Sequence, residues 1–199
     1  MNRSLRYTLI ASTTLMLNAC AGIAHDTPEA RQQIQQDLKL QNIVATSIMS
    51  YCQIPLGGEA WCRATPGIGV ITADRLIMVD YVNGHYRQDD VLTSKDIRCI
   101  AESDGHRFQA FTTNRSVTVF PYKEGTDANS VFREQAIALL LADGQPYLTG
   151  TAGHFVRETD RERTNVTSVN YNGTTMYLPY STKIMEIYSP CLPESNRAD

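Results

Sequence analysis

The five cysteines are the residues of this chain with the widest range of chemistry. A thiol can form a disulfide, bind a metal or be covalently modified, and as a thiolate it can attack an electrophile. One of them directly follows a basic and then apolar N-terminal stretch, whereas the other four lie in the body of the chain. The five are Cys20, Cys52, Cys62, Cys99 and Cys191.

The four cysteines after Cys20 form an even set, which is typical of disulfides in an exported protein. Four cysteines allow three pairings, and sequence alone does not choose among them. We favour Cys52 with Cys62, because a proline and two glycines between them can turn the chain back tightly. Cys99 with Cys191 would then tie the C-terminal segment to the middle of the domain.

One alternative makes a cysteine catalytic. The residues Gly153-His154-Phe155-Val156 resemble the histidine motif of some papain-like leader peptidases. That resemblance implies Cys52 or Cys62 as nucleophile, with His154 as its base. Neither cysteine follows the glutamine and precedes the glycine found in those enzymes, and a disulfide sulfur cannot act as a thiolate. We therefore predict no catalytic residue and no cofactor.

Metal binding is a second alternative. The chain contains no Cys-x-x-Cys, and its histidines lie singly along the sequence, so a zinc site is not predicted. Asp89 and Asp90 follow His85 closely enough to suggest a cation site. We expect these carboxylates to face solvent instead, because they flank a predicted hairpin.

The N-terminus has the pattern of an export signal. Arg3 and Arg6 precede an apolar run from Tyr7 to Leu17, which is too short to remain as a spanning helix of roughly 20 residues. The residues Leu17-Asn18-Ala19-Cys20 resemble a bacterial lipobox. This resemblance implies removal of residues 1–19, acylation of Cys20 and a lipid-anchored lipoprotein. Ala21, which directly follows Cys20 and would be the second residue of the mature chain, resembles the residue found there in lipoproteins sent to the outer membrane, facing the periplasm or the cell surface.

Length and charge limit the remaining classes. Residues 20–26 are small and polar and are predicted to be a tether, 27–191 a single disulfide-stabilised domain, and 192–199 a frayed tail. The chain carries 18 basic and 21 acidic side chains and has no lysine- or arginine-rich run. A nucleic-acid partner is therefore not expected.

The predicted elements define an α+β fold. Thr27, Pro28 and Glu29 have the pattern of a helix start, and Asn129 or Ser130 caps a second helix that ends near Ala142. Short β-rich runs begin at Gly67. They predict an antiparallel sheet or partly open barrel packed by one helix, followed by C-terminal β-hairpins. The stretch 43–48 suits either a helix or a strand.

Two Asn-Gly pairs predict two-residue hairpins. The turn at Asn83-Gly84 places Tyr81 opposite Tyr86 and Asp80 opposite Arg87. The turn at Asn172-Gly173 places Val169 opposite Met176 and Thr167 opposite Leu178. The alternating charges of 158–163 are interpreted as a solvated turn before the second hairpin.

The segment 67–141 also resembles a bacterial PH-like or GRAM-like domain. The residues that carry the resemblance are Gly69-Val70-Ile71-Thr72-Ala73-Asp74-Arg75-Leu76-Ile77 and Val91-Leu92-Thr93-Ser94-Lys95-Asp96-Ile97. It implies small antiparallel strands closed by one C-terminal helix, with a core over 67–142. Because such domains bind lipids, peptides and proteins alike, the resemblance names no ligand.

These observations together predict a lipid-anchored envelope lipoprotein with a non-enzymatic binding or assembly role. Its expected partners are the membrane, through the lipid, and an envelope protein or component. Two alternatives remain open: an envelope hydrolase of cysteine-peptidase type, and a small-ligand or lipid carrier that would need a closed apolar cavity.

Overall fold

The computed structural model describes residues 23–123 and 127–191. The export signal, Cys20 and the C-terminal tail 192–199 lie outside these ranges. Two helices and ten strands form an α+β fold, as predicted. In chain order they are α1 (Pro28–Leu38), β1 (Ala45–Pro55), β2 (Thr65–Ile71), β3 (Arg75–Val82), β4 (His85–Thr93), β5 (Cys99–Glu102), β6 (Phe108–Phe111), β7 (Arg115–Tyr122), α2 (Ser130–Leu140), β8 (Tyr147–Leu148), β9 (Val156–Tyr171) and β10 (Thr174–Ile187).

Eight strands form one sheet in the order β4-β3-β2-β1-β7-β6-β5-β8, and β9 with β10 forms a separate two-stranded sheet. All neighbours are antiparallel except β5 and β8. The first and seventh strands pair, so β1 lies at the centre of the sheet. The ambiguous stretch near residue 45 is thereby assigned to a strand.

The sheet curves around α2. This helix contacts β1, β3, β4 and β7, which are not all neighbours in the strand order. Its buried residues Phe132, Ala136 and Leu140 join a cluster with apolar side chains from each of the first seven strands. Phe132 packs so closely on β2 that a Cβ at Gly69 would lie 2.6 Å from its ring. Gly69 therefore permits this contact.

The other face of β2, β3 and β4 is covered by α1. Thr27 caps this helix by accepting a hydrogen bond from the Ala30 N–H at 3.2 Å, and Pro28 begins it, as predicted. Ile34 packs against the outward side chains of β2 and β3. The described part of the predicted tether also lies on this face, since Ile23 packs here and the Tyr86 hydroxyl donates to the Ala24 carbonyl at 2.5 Å.

A third apolar cluster covers the outer face of β1, β5 and β6. Both disulfides belong to it. Cys52 pairs with Cys62, and Cys99 pairs with Cys191 over a separation of 92 residues. Ile187, near the end of the second hairpin, is buried in the same cluster. The two cysteine pairs are thus the ones favoured from sequence.

Candidate functional surface

The most distinctive surface of the molecule is the hairpin formed by β9 and β10, here called the arm. Asn172 and Gly173 have φ values of 48° and 79°, as a type I′ turn requires. The predicted register is confirmed, with Val169 opposite Met176 and Thr167 opposite Leu178. At ~3.3 Å per residue, the 16 residues of β9 make the arm about 50 Å long.

The stretch 158–163 is part of β9, so its interpretation as a solvated turn was wrong. Charged pairs across the two strands explain why this stretch is extended. Arg157 contacts Glu186 at 2.6 Å, and Lys183 lies 3.6 Å from Glu162. Both faces of the ribbon are solvated here, so the strand lacks the apolar alternation by which strands are recognised.

The first part of the arm, here called the arm base, is residues 156–163 and 183–187. Backbone hydrogen bonds join it to the loop closed by Cys52 and Cys62: the Gly57 N–H donates to the Ile187 carbonyl at 2.8 Å, and the Ala60 N–H donates to the Met185 carbonyl at 2.8 Å. Arg163 forms an ion pair with Glu59 at 2.5 Å. The arm base is thus held on the domain by backbone bonds, charge pairs and the buried Ile187.

The remaining part, residues 164–182, is here called the arm tip. Within the described chain, no hydrogen bond or ion pair joins it to any residue outside the arm. Its sequence contains no Asp, Glu, Lys, Arg or His. Large apolar side chains are nevertheless exposed there, with Tyr177 72% and Tyr171 66% accessible; the others are Val166, Val169, Met176, Leu178 and Tyr180.

The register divides the arm tip into two faces. Because side chains alternate across a strand, Val169, Tyr171, Met176, Leu178 and Tyr180 share one face. The opposite face carries mainly hydroxyl and amide groups, together with Tyr177, Val166 and Pro179. Tyrosine and methionine with few charges are typical of the centre of protein interfaces. The arm tip therefore has the composition of a protein contact surface on an element that stands free of the domain.

The two long edges of the arm tip differ. A two-residue turn is closed by a hydrogen-bonded pair, here Tyr171 with Thr174, and bonded and non-bonded pairs then alternate. By this count Pro179 is in a non-bonded pair, where the backbone groups point away from β9 to the outer edge of β10. Because proline has no N–H, that edge lacks a hydrogen-bond donor at this position. The outward positions of β9 include Val166 and Ser168, whose N–H groups are free to bond. β9 therefore offers an intact edge, whereas that of β10 is interrupted.

The residues of the peptidase alternative do not form a nucleophile and base. Cys52 and Cys62 are joined to each other, so neither sulfur is a thiolate. His154 lies two residues before β9, and its ring lies 6.2 Å from the ring of Tyr188. Phe155 packs against Phe111 at 5.6 Å between ring centroids. This stretch contributes to the packing beneath the arm.

Each carboxylate near the first hairpin contacts a different partner. His85 lies 3.2 Å from Asp37, Asp89 accepts a hydrogen bond from Tyr51 at 2.6 Å, and Asp90 pairs with Arg115 at 2.8 Å. Within residues 23–123 and 127–191, no group of three His, Cys, Asp or Glu side chains is arranged to hold a metal.

Two of these groups have shifted pKa values. The Tyr86 backbone N–H donates to Asp37 and, with His85, lowers the pKa of that carboxyl despite its partial desolvation. Desolvation raises the pKa of Tyr51, and its hydrogen bond to Asp89 raises it further. Both shifts stabilise the state in which Asp37 is charged and Tyr51 is neutral.

A cleft of about 340 Å³ lies between the outer face of the sheet and the start of the arm. Its lining mixes apolar side chains such as Phe120 and Phe155 with the polar groups of Gln109 and Arg107, and Trp61 stands at it 75% exposed. A carrier would need a closed apolar cavity, whereas this cleft is open to solvent and polar groups interrupt its apolar walls.

Sequence reasoning missed Trp61, Gln109 and the exposure of the arm tip. The absence of charge in 164–182 was a usable signal, but only the fold shows that this stretch stands beyond the domain.

No described helix is both long and apolar enough to span a membrane.

No model of a known protein family matches the chain, and no curated protein matches it. A solved structure of Vav1, inhibited by an allosteric inhibitor, is similar with a TM-score of 0.40 and 9% identity. The match covers 69% of this chain and 40% of the Vav1 chain. The chain thus spans less than half of that protein's length, and a likeness this weak carries no functional argument.

Proposed function

We propose that this protein is a lipid-anchored lipoprotein of the cell envelope with a non-enzymatic binding or assembly role, and that it contacts a partner protein through the arm tip. The observation that carries the proposal is the exposed, uncharged and tyrosine-rich tip on a firmly held base. An isolated two-stranded hairpin has little stability of its own in water. A partner that covers the apolar face would add the stability that the domain does not supply.

The lipid anchor is supported by the export signal and by the lipobox-like residues ending at Cys20. Acyl chains contribute about 0.8 kcal/mol per buried methylene group, so two or more chains anchor a protein stably. Ala21 supports an outer-membrane location. The PH-like resemblance is supported by the seven antiparallel strands that precede α2, which form two meanders, β1–β4 and β5–β7, joined by the pairing of β1 with β7. The resemblance leaves the ligand open.

The anchor and the cysteines can be tested together on protein from its native membrane fraction. Non-reducing mass mapping should find an acylated N-terminal Cys20 and two internal disulfides. An unmodified N-terminus at another residue would refute the anchor. A free, alkylatable Cys52 or Cys62 would reopen the peptidase alternative.

The docking role can be tested by placing a photo-crosslinking amino acid at Tyr171, which lies on the apolar face of the arm tip, in the full-length protein. We expect a discrete crosslinked protein product that disappears when Leu178 is also changed to Asp. Val131 on α2 is a matched control, because it is 61% exposed on another surface. The same product from position 131, or none from position 171, would refute docking through the arm tip.

A further inference from the structure

The charge pattern of β9 restricts how this strand could pair with a second copy of itself. In an antiparallel pair, each step forward along one strand is a step backward along the other, so the numbers of opposite residues always add up to the same sum. Pairing centred on Asp160 would place Arg157 opposite Arg163 and Glu158 opposite Glu162, with Asp160 opposite its own copy. Like charges directly opposite each other are destabilising. The arm base therefore resists pairing with itself.

The arm tip shows no such conflict. Pairing centred on Thr167 places Val166 opposite Ser168 of the second copy, and the segment 164–170 lies against itself without a charged side chain. The outward N–H groups of Val166 and Ser168 would then meet carbonyl groups of the second copy. Pro179 blocks the corresponding contact along β10. The outer edge of β9 within the arm tip thus remains available for pairing with a second copy.

We propose that the partner of the arm tip is a second copy of this chain, joined through antiparallel pairing of β9 with β9 around Thr167. The proposal rests on the arm tip being a docking surface. The resulting four-stranded sheet would bring the two apolar faces, including Val169 and Leu178, onto one side. A two-fold contact of this kind is self-complementary, as most homodimer contacts are.

The arm base favours a second copy over an unrelated partner. When β9 pairs with β9 of a second copy, the charged side chains of the arm base meet side chains of the same sign. This repulsion would restrict the pairing of two copies to the uncharged arm tip. Natural sheets use charged edge residues to prevent unwanted pairing in this way. Lipid anchoring would add to the effect, because copies held on one membrane meet at raised effective concentration.

The test uses full-length protein in detergent micelles, analysed by sedimentation velocity with the detergent density-matched. The native protein should form dimers. Thr167→Lys and Thr167→Glu should each weaken the dimer at least about tenfold, which corresponds to ~1.4 kcal/mol. Their mixture should restore dimers as a heterodimer, because opposite charges would then meet at the centre of the contact.

A proline pair separates the edge contact from damage to the arm. Ser168→Pro should weaken the dimer, because it removes an outward N–H of β9. Ser181→Pro introduces the same residue at an outward position of β10 and should leave the dimer intact. Unchanged thermal unfolding of both variants would show that the domain remains folded.

The outcomes also separate this inference from the docking role. A monomeric native protein whose position 171 still crosslinks to a different protein would overturn self-pairing and keep the docking surface. A monomeric protein with no crosslink from position 171 would overturn both. Dimers that Ser168→Pro and Ser181→Pro weaken equally would overturn pairing through the β9 edge.

Discussion

The chain contains two hairpins with the same turn chemistry and opposite surroundings. Asn83-Gly84 and Asn172-Gly173 both form turns with two positive φ angles, and the glycine values are 83° and 79°. The first hairpin, β3 and β4, is packed between α2 on one face and α1 on the other. The second is held only at its base. Identical local signals therefore produce one core element and one projecting element.

The difference lies in the side chains along the strands on either side of the turn. In the first hairpin Leu76, Ile77 and Met78 are buried consecutively, because both faces of β3 are covered. In the second hairpin most of the apolar residues lie on one face of the tip, and nothing in the described chain covers them. A hairpin's turn thus sets its register, whereas the side chains along its strands decide whether it joins the core.

The largest effect should come from the disulfide that closes the longer loop, between Cys99 and Cys191. Changing both cysteines to Ser should lower the free energy of unfolding by about 4.6 kcal/mol in the chain-entropy model. The Cys52–Cys62 bond closes a much shorter loop, so changing both of these cysteines to Ser should cost less. Urea unfolding at equal protein concentration measures both, and an equal loss would contradict this explanation.

A matched pair of leucines compares the two hairpins directly. Leu76 is fully buried in β3, and Leu178 is 47% exposed in β10. Leu76→Ala should destabilise the domain by about 3 kcal/mol through lost contacts and a cavity. Leu178→Ala should change stability by less than about 0.5 kcal/mol. Thermal unfolding of the two variants checks the difference.

The two turn glycines allow a finer comparison. A Cβ at Gly84 or Gly173 would meet no atom within 4 Å, so alanine adds only backbone strain. That strain is about 1 kcal/mol at positive φ. Gly84→Ala should lower global stability by this amount, whereas Gly173→Ala should speed hydrogen exchange in the arm tip and leave the unfolding temperature unchanged. Equal global losses would show that the arm folds with the core.

The smallest effect concerns the contact between α1 and the first hairpin. The Tyr86 N–H and His85 hold the pKa of Asp37 below its ordinary value of 3.8. Charged Asp37 therefore stabilises the fold above that value, and the stabilisation is lost as pH falls through the lowered pKa. Asp37→Asn should flatten the pH dependence of stability between about pH 5 and about pH 2, measured by urea unfolding. An unchanged slope would exclude this role.

Much of the fold was predictable because it depends on local chemistry. The cap at Thr27, both Asn-Gly turns, the register across Val169 and Met176 and the second helix near Ser130 all follow from short signals. The charged strand 158–163 did not, because a ribbon solvated on both faces has no apolar alternation. The packing of α1 on the outer face of the sheet also depends on contacts distant in sequence.

The candidate surface was only partly predictable. The sequence shows that 164–182 lacks charge and that Asn172-Gly173 turns the chain. It does not show that the loop closed by Cys52 and Cys62 holds only the base of the hairpin. That arrangement depends on backbone hydrogen bonds of Gly57 and Ala60, which no side-chain pattern encodes.

The contact between Tyr86 and Ala24 limits how far the domain can lie from the proposed lipid anchor at Cys20. Ala24 is already attached to the domain, and it is four residues from Cys20. Four extended residues span at most about 14 Å. If Cys20 is acylated as proposed, this short connection would keep the domain close to the membrane surface. The arm, about 50 Å long, would then be the part of the protein that extends to meet others.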